Sequence, residues 1–417
     1  MSGKRLIFHI DVNSAFLSWE SVRRVKNGAS DLRQIPACIG GDPKKRTGIV
    51  LAKSIPAKKF GITTGEPMAI ALRKCPELVS VPADFRLYDK CSRAFKAICS
   101  AYAPVMESFS IDEVFLDMSG TSLIYPDPIA TACEIKDRIR EELGFTVNVG
   151  IGENKLCAKM ASDFEKPDRV HTLFPNEIPQ KMWPLPVRDL FTVGRASAEK
   201  LQKARIYTIG QLAHTDLQEI QRIVGVRQGQ HIHAFANGID DSPVLEQPED
   251  AKGYSAETTV EEDLTDLESI DRMLLAQADI VAARMRGDNV KCTCVAVSFR
   301  TTEFVNKSHQ RKLVTATDAT TEIYEIAREL IRECWRGQPL RLIGLALTQL
   351  DHGEYEQMSF LKDERREKLR ALDQAMDEIR GKFGNASVQR AGSMTASKRI
   401  GRKYQAQQEN RREEAQE

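Results

Sequence analysis

The sequence has no long apolar run. None of the apolar stretches in its 417 residues approaches the ~18 residues that a helix needs to cross a bilayer. The amino-terminal residues MSGKR lead into a short apolar stretch that lacks the core and the cleavage site of a signal peptide. We therefore expect a cytoplasmic protein that makes no contact with a membrane.

Paired cysteines are also missing. The 9 cysteines are spread singly, no C-x-x-C pair occurs, and the closest two are Cys292 and Cys294. With only 7 scattered histidines, neither a disulfide framework nor a structural zinc site fits this spacing. We expect reduced, mostly buried thiols, as in a cytosolic protein.

The chain has almost no net charge. Its 60 lysines and arginines balance 59 aspartates and glutamates, which gives a formal charge of +1. Bulk electrostatics therefore indicates no partner, and any site for a polyanion must come from local clustering of charge. With 41% hydrophobic residues, a chain of this length is expected to form two to four domains at roughly 100–200 residues per domain.

Apolar periodicity divides the chain into an α/β part, a helical part and a second α+β part. Strand and helix patterns alternate up to about residue 175, and residues 185–237 show only helical periodicity with short turns. A polar, proline-containing stretch over residues 240–252 is typical of a linker. Residues 255–350 give a further set of strands and helices, and the charged remainder contains one amphipathic helix pattern at 369–383. The sequence therefore predicts an α+β multidomain protein.

Three acidic residues occur in apolar strand patterns. Asp11 ends the strand of residues 5–11, and Asp112 and Glu113 interrupt an alternating strand that we expect over residues 108–117. An acid at a strand end is usually solvated, but one of two adjacent acids would face the core, where an unpaired carboxylate costs several kcal/mol. Magnesium ions prefer such oxygen ligands and remove that penalty. From the residues alone, a two-metal site and solvated strand ends both remain open.

Four ordered motifs resemble those of the Y-family DNA polymerases. They cover residues 9–20 (HIDVNSAFLSWE), 57–62 (AKKFGI), 110–117 (SIDEVFLD) and 149–167 (VGIGENKLCAKMASDFEKP). The similarity extends over roughly residues 4–352. It implies a low-fidelity, template-directed DNA polymerase that carries out translesion synthesis in DNA repair and raises the mutation rate. A non-catalytic, polymerase-like scaffold in a repair complex is the alternative, and such relatives are expected to lose the metal-binding acids.

The resemblance implies the right-hand polymerase architecture. The expected parts are a palm (1–20 and 76–175), fingers (21–75), a helical thumb (176–240), a linker (241–254), a DNA-binding little finger (255–352) and a charged tail (353–417).

The resemblance also implies the residues of the active site. Asp11, Asp112 and Glu113 are expected to be catalytic and, with the Val12 carbonyl, to hold two Mg²⁺ ions, for which Mn²⁺ can substitute. The expected substrates are a primer–template DNA and a dNTP.

Three further positions are expected to contact the nucleotide. Phe16 falls at the position of the steric gate that excludes a 2′-hydroxyl, and Lys166 matches the lysine that meets the phosphates. Lys58 and Ile55 stand where the polymerase IV branch usually has arginine and tyrosine, and Asn13 looks more like the polymerase V catalytic subunit. Lys58 can neutralise a phosphate but cannot bind it through two nitrogens. The branch therefore stays open.

Two segments are candidates for DNA contacts. Residues 190–210 resemble a helix-hairpin-helix, whose turn would place Gly194, Arg195 and Lys200 at a phosphate. In the last domain, basic residues cluster among few acids and are expected to bind the duplex backbone in a salt-dependent way. These residues are Arg284, Arg286, Lys291, Arg300, Lys307, Arg311 and Lys312. A merely solvated surface is the alternative.

A short segment beyond the last domain is similar to the peptide with which bacterial polymerases bind the sliding clamp. It consists of Gln357, Met358, Ser359, Phe360 and Leu361. The sliding clamp is therefore an expected partner, and the polymerase itself is expected to be a monomer.

Overall fold

The computed structural model describes residues 5–42, 48–247, 249–353, 364–385 and 387–393. The chain divides into two compact units, the first made of Met1–Gly41 and Ile49–Pro248, the second of Asp42–Gly48 and Glu249–Glu417. None of the helices in the described ranges combines the length and the apolar character that crossing a bilayer requires.

The first unit contains two sheets and a series of helices. Its strands are β1 (Ile7–Val12), β2 (Ala37–Gly40), β3 (Val50–Lys53), β4 (Val79–Val81), β5 (Val105–Ser108), β6 (Glu113–Asp117), β7 (Val147–Gly152) and β8 (Val170–Leu173). Its helices are α1 (Ala15–Lys26), α2 (Ile55–Lys59), α3 (Met68–Lys74), α4 (Phe85–Ser100), α5 (Pro128–Leu143), α6 (Lys155–Ser162), α7 (Ile178–Lys181), α8 (Arg195–Lys203), α9 (Ile209–His214), α10 (Leu217–Val224) and α11 (Val226–Ala236).

The larger sheet has the strand order β5-β6-β1-β7-β8. All neighbours are antiparallel except β7 and β8, which run parallel. The central strands β1 and β7 are buried along their whole length, which explains their nearly continuous apolar sequences. A Cβ at Gly150 in β7 would overlap the backbone of Ala158 and Ser162, so glycine is what allows α6 to pack closely on this sheet.

The single strand predicted over residues 108–117 is wrong, because two strands joined by a turn occupy this region. β5 ends at Ser108, β6 begins at Glu113, and the two pair antiparallel. Within the turn, Ser110 Oγ donates to Asp112 Oδ1 at 2.7 Å and accepts from the Asp112 N–H at 3.3 Å. Such local serine and aspartate hydrogen bonds stabilise turns. Asp112 therefore lies at the end of a hairpin turn, immediately before the strand that carries Glu113.

The smaller sheet has the order β3-β2-β4, with β2 and β4 parallel. Next to it, α2 begins with Ser54, whose hydroxyl accepts from the Ala57 N–H at 3.1 Å, and with Pro56 in its first turn. These features fix α2 at the end of β3. The range predicted to be helical, residues 185–237, contains α8 to α11 joined by turns, and its apolar core also includes residues of α6 and β8.

The segment that follows the helices is fixed to the first unit at several points. The Leu156 N–H donates to Asp240 Oδ2 at 3.0 Å, and Arg5 donates to the Ser242 carbonyl at 2.7 Å. The Leu245 N–H donates to Glu107 Oε2 at 2.8 Å. The amino-terminal part of the stretch predicted as a linker is therefore hydrogen-bonded to the first unit.

The second unit is a four-stranded antiparallel sheet with helices on one face. Its elements are β9 (Gly253–Leu264), α12 (Leu267–Gly287), β10 (Lys291–Thr301), β11 (Asn306–Thr317), α13 (Thr320–Cys334), β12 (Leu340–Asp351) and α14 (Glu364–Phe383). The strand order is β11-β10-β12-β9. The alternation predicted from the sequence is confirmed, and α14 matches the amphipathic helix pattern of the tail.

Charged residues attach α14 to the rest of the second unit. Asp373, whose side chain is 2% exposed, accepts from Arg390 and lies 3.4 Å from Arg286 Nη1. Arg380 donates to Asp279 at 2.6 Å, where the Asp279 side chain is buried and the Arg380 side chain is 11% exposed. Arg286, predicted to belong to a basic surface patch, is therefore buried against acids of α14 instead.

Candidate active site

Strand pairing brings the three predicted acids together. Asp11 in β1 and Glu113 in β6 stand directly opposite each other in the antiparallel register. The next residue of β1, Val12, donates its N–H to the Asp112 carbonyl at 3.0 Å. Residues about a hundred positions apart in sequence thus become neighbours at the ends of two paired strands.

A cleft of about 450 Å³ opens beside these acids. Asp11, Val12 and Asp112 line one end of it. Glu113 is not among the described lining residues, because its carboxylate is turned towards His9 and Lys159.

Lysines neutralise the two strand carboxylates. Lys166 is hydrogen-bonded to Asp11 and lies 2.8 Å from Asp163 Oδ1. Lys159 donates to Glu113 Oε1 at 3.0 Å. Across the described ranges, no three histidine, cysteine, aspartate or glutamate side chains are gathered closely enough to hold a metal ion.

Burial and neighbouring charges shift the pKa values of the two strand carboxylates in opposite directions. Burial raises the pKa of Asp11 to about 6, against the opposing effect of the Lys166 ammonium. Burial also acts to raise the pKa of Glu113, but the hydrogen bond from His9 and the charge of Lys159 outweigh it and lower that pKa to about 2. Burial lowers the pKa of His9 to about 4, although its contact with Glu113 opposes this.

The donor set fits a divalent cation. The carboxylates of Asp11 and Asp112 line the cleft together with Val12. A third carboxylate, that of Glu113, belongs to the residue that pairs with Asp11. All are hard oxygen donors of the kind that Mg²⁺ and Mn²⁺ prefer. A cation beside Asp11 would also relieve the burial penalty that raises its pKa.

An aromatic cluster forms another wall of the cleft. Phe16, which lines the cleft, stacks on Tyr88 with ring centroids 4.5 Å apart and planes inclined by 10°. Phe85 and Trp19 contact the same Phe16 ring at 6.1 and 5.9 Å. Tyr88 and Trp19 are fully buried, so the Phe16 ring rests on a fixed support.

Lysines and polar residues of another segment also line the cleft. Lys58 of α2 is one of them, and Lys53, Ile55 and Thr64 are further lining residues. Lys53 donates to Thr64 Oγ1 at 3.2 Å. Burial and then the neighbouring Lys58 lower the pKa of Lys53. In the part of the chain that the structure describes, neither lysine makes an ion pair.

Sequence reasoning missed Lys53. It lies in an apolar strand, VLAK, where a terminal lysine is ordinarily a solvated end. The signal that could have found it is its position two residues before Ile55, at the start of the segment already assigned to the nucleotide.

The helical part presents two glycine turns side by side. Gly194 precedes α8, and a Cβ there would contact nothing, so its backbone is open. Arg195, 93% exposed and paired with Glu199, and Lys200 follow on the same helix. A second turn at Gly225 precedes α11, and Gln228 donates to the Thr192 carbonyl at 3.3 Å, which joins the turns. Only the first turn was found from the sequence.

The predicted basic patch of the second unit is divided between two faces of the sheet. Lys307 pairs in register with Phe299, a residue of the core beneath α12 and α13. Arg311 contacts Glu329 and Glu333 of α13 on that same face.

Two more residues of the predicted patch, Arg300 and Lys312, lie on the opposite face. Arg300, which pairs in register with Asn306 and donates to its side chain, and Lys312 alternate with the residues that face the helices. These four of the seven residues in the predicted patch therefore do not form one surface. The clamp-like segment 357–361 lies outside the described residues.

Three family models match most of the chain. Residues 10–163 match the impB/mucB/samB family, and residues 251–360 match the C-terminal domain of that family. Residues 188–240 match the thumb domain of DNA polymerase iota. The chain therefore belongs to the impB/mucB/samB family, and its assignment to the Y-family DNA polymerases is confirmed.

Curated relatives match along nearly their full length. The chain is 42% identical over 93% of its length to DNA polymerase IV of Clostridium acetobutylicum, covering 98% of that protein. It is 36% identical to DNA polymerase IV of Clostridium kluyveri, covering 94% of this chain and 98% of that one. A solved Y-family DNA polymerase chimera shares the fold, with a TM-score of 0.71, 22% identity and coverage of 83% of this chain and 99% of the other. Membership of this family implies a requirement for a divalent metal.

Proposed function

We propose that the cleft catalyses template-directed addition of a deoxynucleotide to a primer, in low-fidelity translesion DNA synthesis. The chain matches relatives named DNA polymerase IV along nearly their full length, which supports this DNA-directed DNA polymerase activity. The observation that carries the proposal is the pairing of Asp11 with Glu113, next to Asp112, at one end of a cleft whose other walls are an aromatic ring and lysines.

Asp11, Asp112, Glu113 and the Val12 carbonyl would hold two Mg²⁺ ions, with Mn²⁺ able to substitute. When bound, such ions lower the pKa of the attacking hydroxyl and stabilise charge at the phosphorus. The primer 3′-hydroxyl gives its proton to water, its oxygen forms a bond to the α-phosphorus of the dNTP, the bond from the α-phosphorus to the bridging oxygen of the β-phosphate breaks, and pyrophosphate leaves.

The lysines of the cleft neutralise the triphosphate. Lys58 and Lys53 face the cleft without an acidic partner in the described chain, so the nucleotide is the anion that fits there. Lys166 is paired with Asp11 and Asp163. A triphosphate would draw the Lys166 ammonium away from Asp11 and leave that carboxylate to a cation.

Phe16 would act as the steric gate for the sugar. Its ring, supported by Tyr88, occupies the wall of the cleft at the start of α1. A 2′-hydroxyl that approaches a fixed ring meets van der Waals repulsion, so deoxynucleotides are preferred.

The remaining parts would hold DNA and partners. We assign the larger sheet of the first unit to the palm, residues 21–75 to the fingers and the helical residues 176–240 to the thumb. The four-stranded sheet of the second unit is assigned to the little finger. The adjoining glycine turns suit DNA phosphates. The open sheet face with Arg300 and Lys312 suits a duplex backbone. The polymerase would be a monomer that binds the sliding clamp through residues 357–361.

The alternative, a non-catalytic scaffold, is not favoured. A chain that only recruits partners would not need two carboxylates that line a cleft, with a third paired directly opposite one of them.

Primer extension tests the proposal. The wild type should extend a primer on undamaged DNA and across an abasic site, and Asp112→Ala combined with Glu113→Ala should abolish both. Glu141→Ala combined with Glu142→Ala is the matched control, because it removes adjacent acids from the exposed end of α5. Extension that survives the loss of Asp112 and Glu113 would reject the assignment.

A further inference from the structure

A fully buried histidine and serine lie behind the Glu113 carboxylate. His9 in β1 and Ser162 at the end of α6 are both 0% exposed. His9 Nδ1 lies 2.8 Å from Ser162 Oγ, and His9 Nε2 lies 3.3 Å from Glu113 Oε2. Neither residue is among the described residues that line the cleft, so the chemistry proposed above does not use them.

Hydrogen-bond accounting fixes the direction of this chain of contacts. An ionised carboxylate can only accept hydrogen bonds, so His9 must carry a proton on Nε2 to donate to Glu113. The Nδ1 atom of a neutral ring is then an acceptor. The Ser162 hydroxyl lies 2.8 Å from both His9 Nδ1 and the Lys159 carbonyl oxygen, and because it has a single hydrogen, it donates to Nδ1 whenever His9 donates to Glu113. The direction runs from the Ser162 hydroxyl through the imidazole to Glu113.

The Glu113 carboxylate is held at both oxygens. His9 contacts Oε2, and Lys159 donates to Oε1 at 3.0 Å. The imidazole is itself packed against the Phe115 ring, with centroids 4.6 Å apart. A carboxylate with a separate donor on each oxygen has little freedom to rotate, so its remaining lone pairs keep a fixed direction.

We propose that His9, oriented by Ser162, is a positioning residue that holds the Glu113 carboxylate ready for a divalent metal. The inference rests on the proposed function only in taking Glu113 as a metal ligand. Partners that orient a metal-binding side chain typically contribute about 10- to 100-fold to metal affinity. A histidine that served only core packing would affect stability and leave metal affinity unchanged.

The test measures metal binding directly. The full chain, bound to a dNTP and to primer–template DNA whose primer ends in a 2′,3′-dideoxynucleotide so that no extension occurs, is titrated with Mn²⁺, and free Mn²⁺ is followed by electron paramagnetic resonance. The variants are His9→Phe, which keeps a ring but loses the donor, His9→Gln, which places an amide N–H near the position of Nε2, and Ser162→Ala. His171→Phe, on β8 of the same sheet, is the control.

We expect His9→Phe to weaken Mn²⁺ binding by about tenfold or more, His9→Gln to stay within about threefold, and Ser162→Ala to fall between them. The Mg²⁺ concentration at half-maximal extension should rise in parallel, while the KM for dNTP at saturating Mg²⁺ should stay constant. Mn²⁺ binding by folded His9→Phe that equals the wild type would overturn the proposal. Should His9→Phe not fold, wild-type binding by Ser162→Ala overturns it.

The outcome is separable from that of the proposed function. If Mn²⁺ binding weakens in His9→Phe but the wild type extends no primer, the polymerase assignment fails and the positioning role stands. If extension depends on Asp112 and Glu113 while His9→Phe binds Mn²⁺ as tightly as the wild type, the positioning role fails and the polymerase assignment stands.

Discussion

The stacking of Phe16 on Tyr88 predicts that replacing Tyr88 changes the selectivity for deoxyribose over ribose. The Tyr88 ring is fully buried and lies parallel to Phe16 at 4.5 Å, on the side away from the cleft. Replacing it with leucine removes the flat surface that keeps the Phe16 ring in place. The ring can then move away from an incoming 2′-hydroxyl, and ribonucleotides should be inserted more readily.

The size of the effect follows from the stacking energy. An aromatic pair contributes about 0.5–1.5 kcal/mol beyond its buried area. If that energy is what resists displacement of Phe16, Tyr88→Leu should reduce discrimination against ribonucleotides by about 2- to 13-fold. Tyr88→Phe keeps the stack and should retain wild-type discrimination. Phe16→Ala removes the gate itself and should reduce discrimination further than Tyr88→Leu.

The assay is single-nucleotide insertion with matched dNTP and rNTP, reported as the ratio of kcat/KM values. A ratio is insensitive to the fraction of folded enzyme, so a loss of stability does not imitate a loss of selectivity. Wild-type discrimination in Tyr88→Leu would refute the role of the stack. Wild-type discrimination in Phe16→Ala would refute the gate.

Three further changes have defined outcomes. Lys53→Met should raise the KM for dNTP by about tenfold or more, because a charge-assisted phosphate contact contributes about 1.5–3 kcal/mol. Lys59→Met changes an exposed neighbour on α2 and should leave this KM unchanged. A KM of Lys53→Met that equals the wild-type value in steady-state kinetics would exclude Lys53 from the nucleotide site. Asp373→Ala leaves its buried arginine partners without that carboxylate and should lower the free energy of unfolding by about 3–5 kcal/mol. Urea denaturation measures this loss, with Glu378→Ala, which removes an exposed acid of α14, as the control. An equal loss in both variants would contradict the buried network. Deletion of residues 357–361 should reduce clamp-stimulated synthesis but spare distributive extension; equal loss of both would exclude a clamp-binding role.

Local sequence patterns were sufficient to predict most strands and helices of the second unit. The apolar patterns predict strands over residues 292–299 and 341–350 and a helix over residues 320–335, and β10, β12 and α13 lie within two residues of these bounds, because period-two and helical apolar patterns are local signals. The turn at residues 109–112 was missed because it contains neither glycine nor proline. The side chains of Ser110 and Asp112 form it instead.

Long-range pairing is what the sequence could not supply. The opposition of Asp11 and Glu113 depends on the register of β1 against β6, which only the family resemblance suggested. The acids of α14 look like a solvated charged face in sequence, but Asp373 is buried because its arginine partners come from other elements. The division of the basic patch could have been foreseen, since Arg300 and Lys312 alternate with the residues that face the helices.

The central claim is that Asp11, Asp112 and Glu113 jointly bind the catalytic metal ions. It is tested most directly by anomalous scattering from crystals of the protein grown with primer–template DNA, dNTP and Mn²⁺. The account predicts two manganese peaks about 3.5–4 Å apart, each within coordination distance of carboxylate oxygens from these three residues. Manganese peaks that lie away from Asp11 and Asp112, or that leave all three carboxylates paired with lysines, would contradict it.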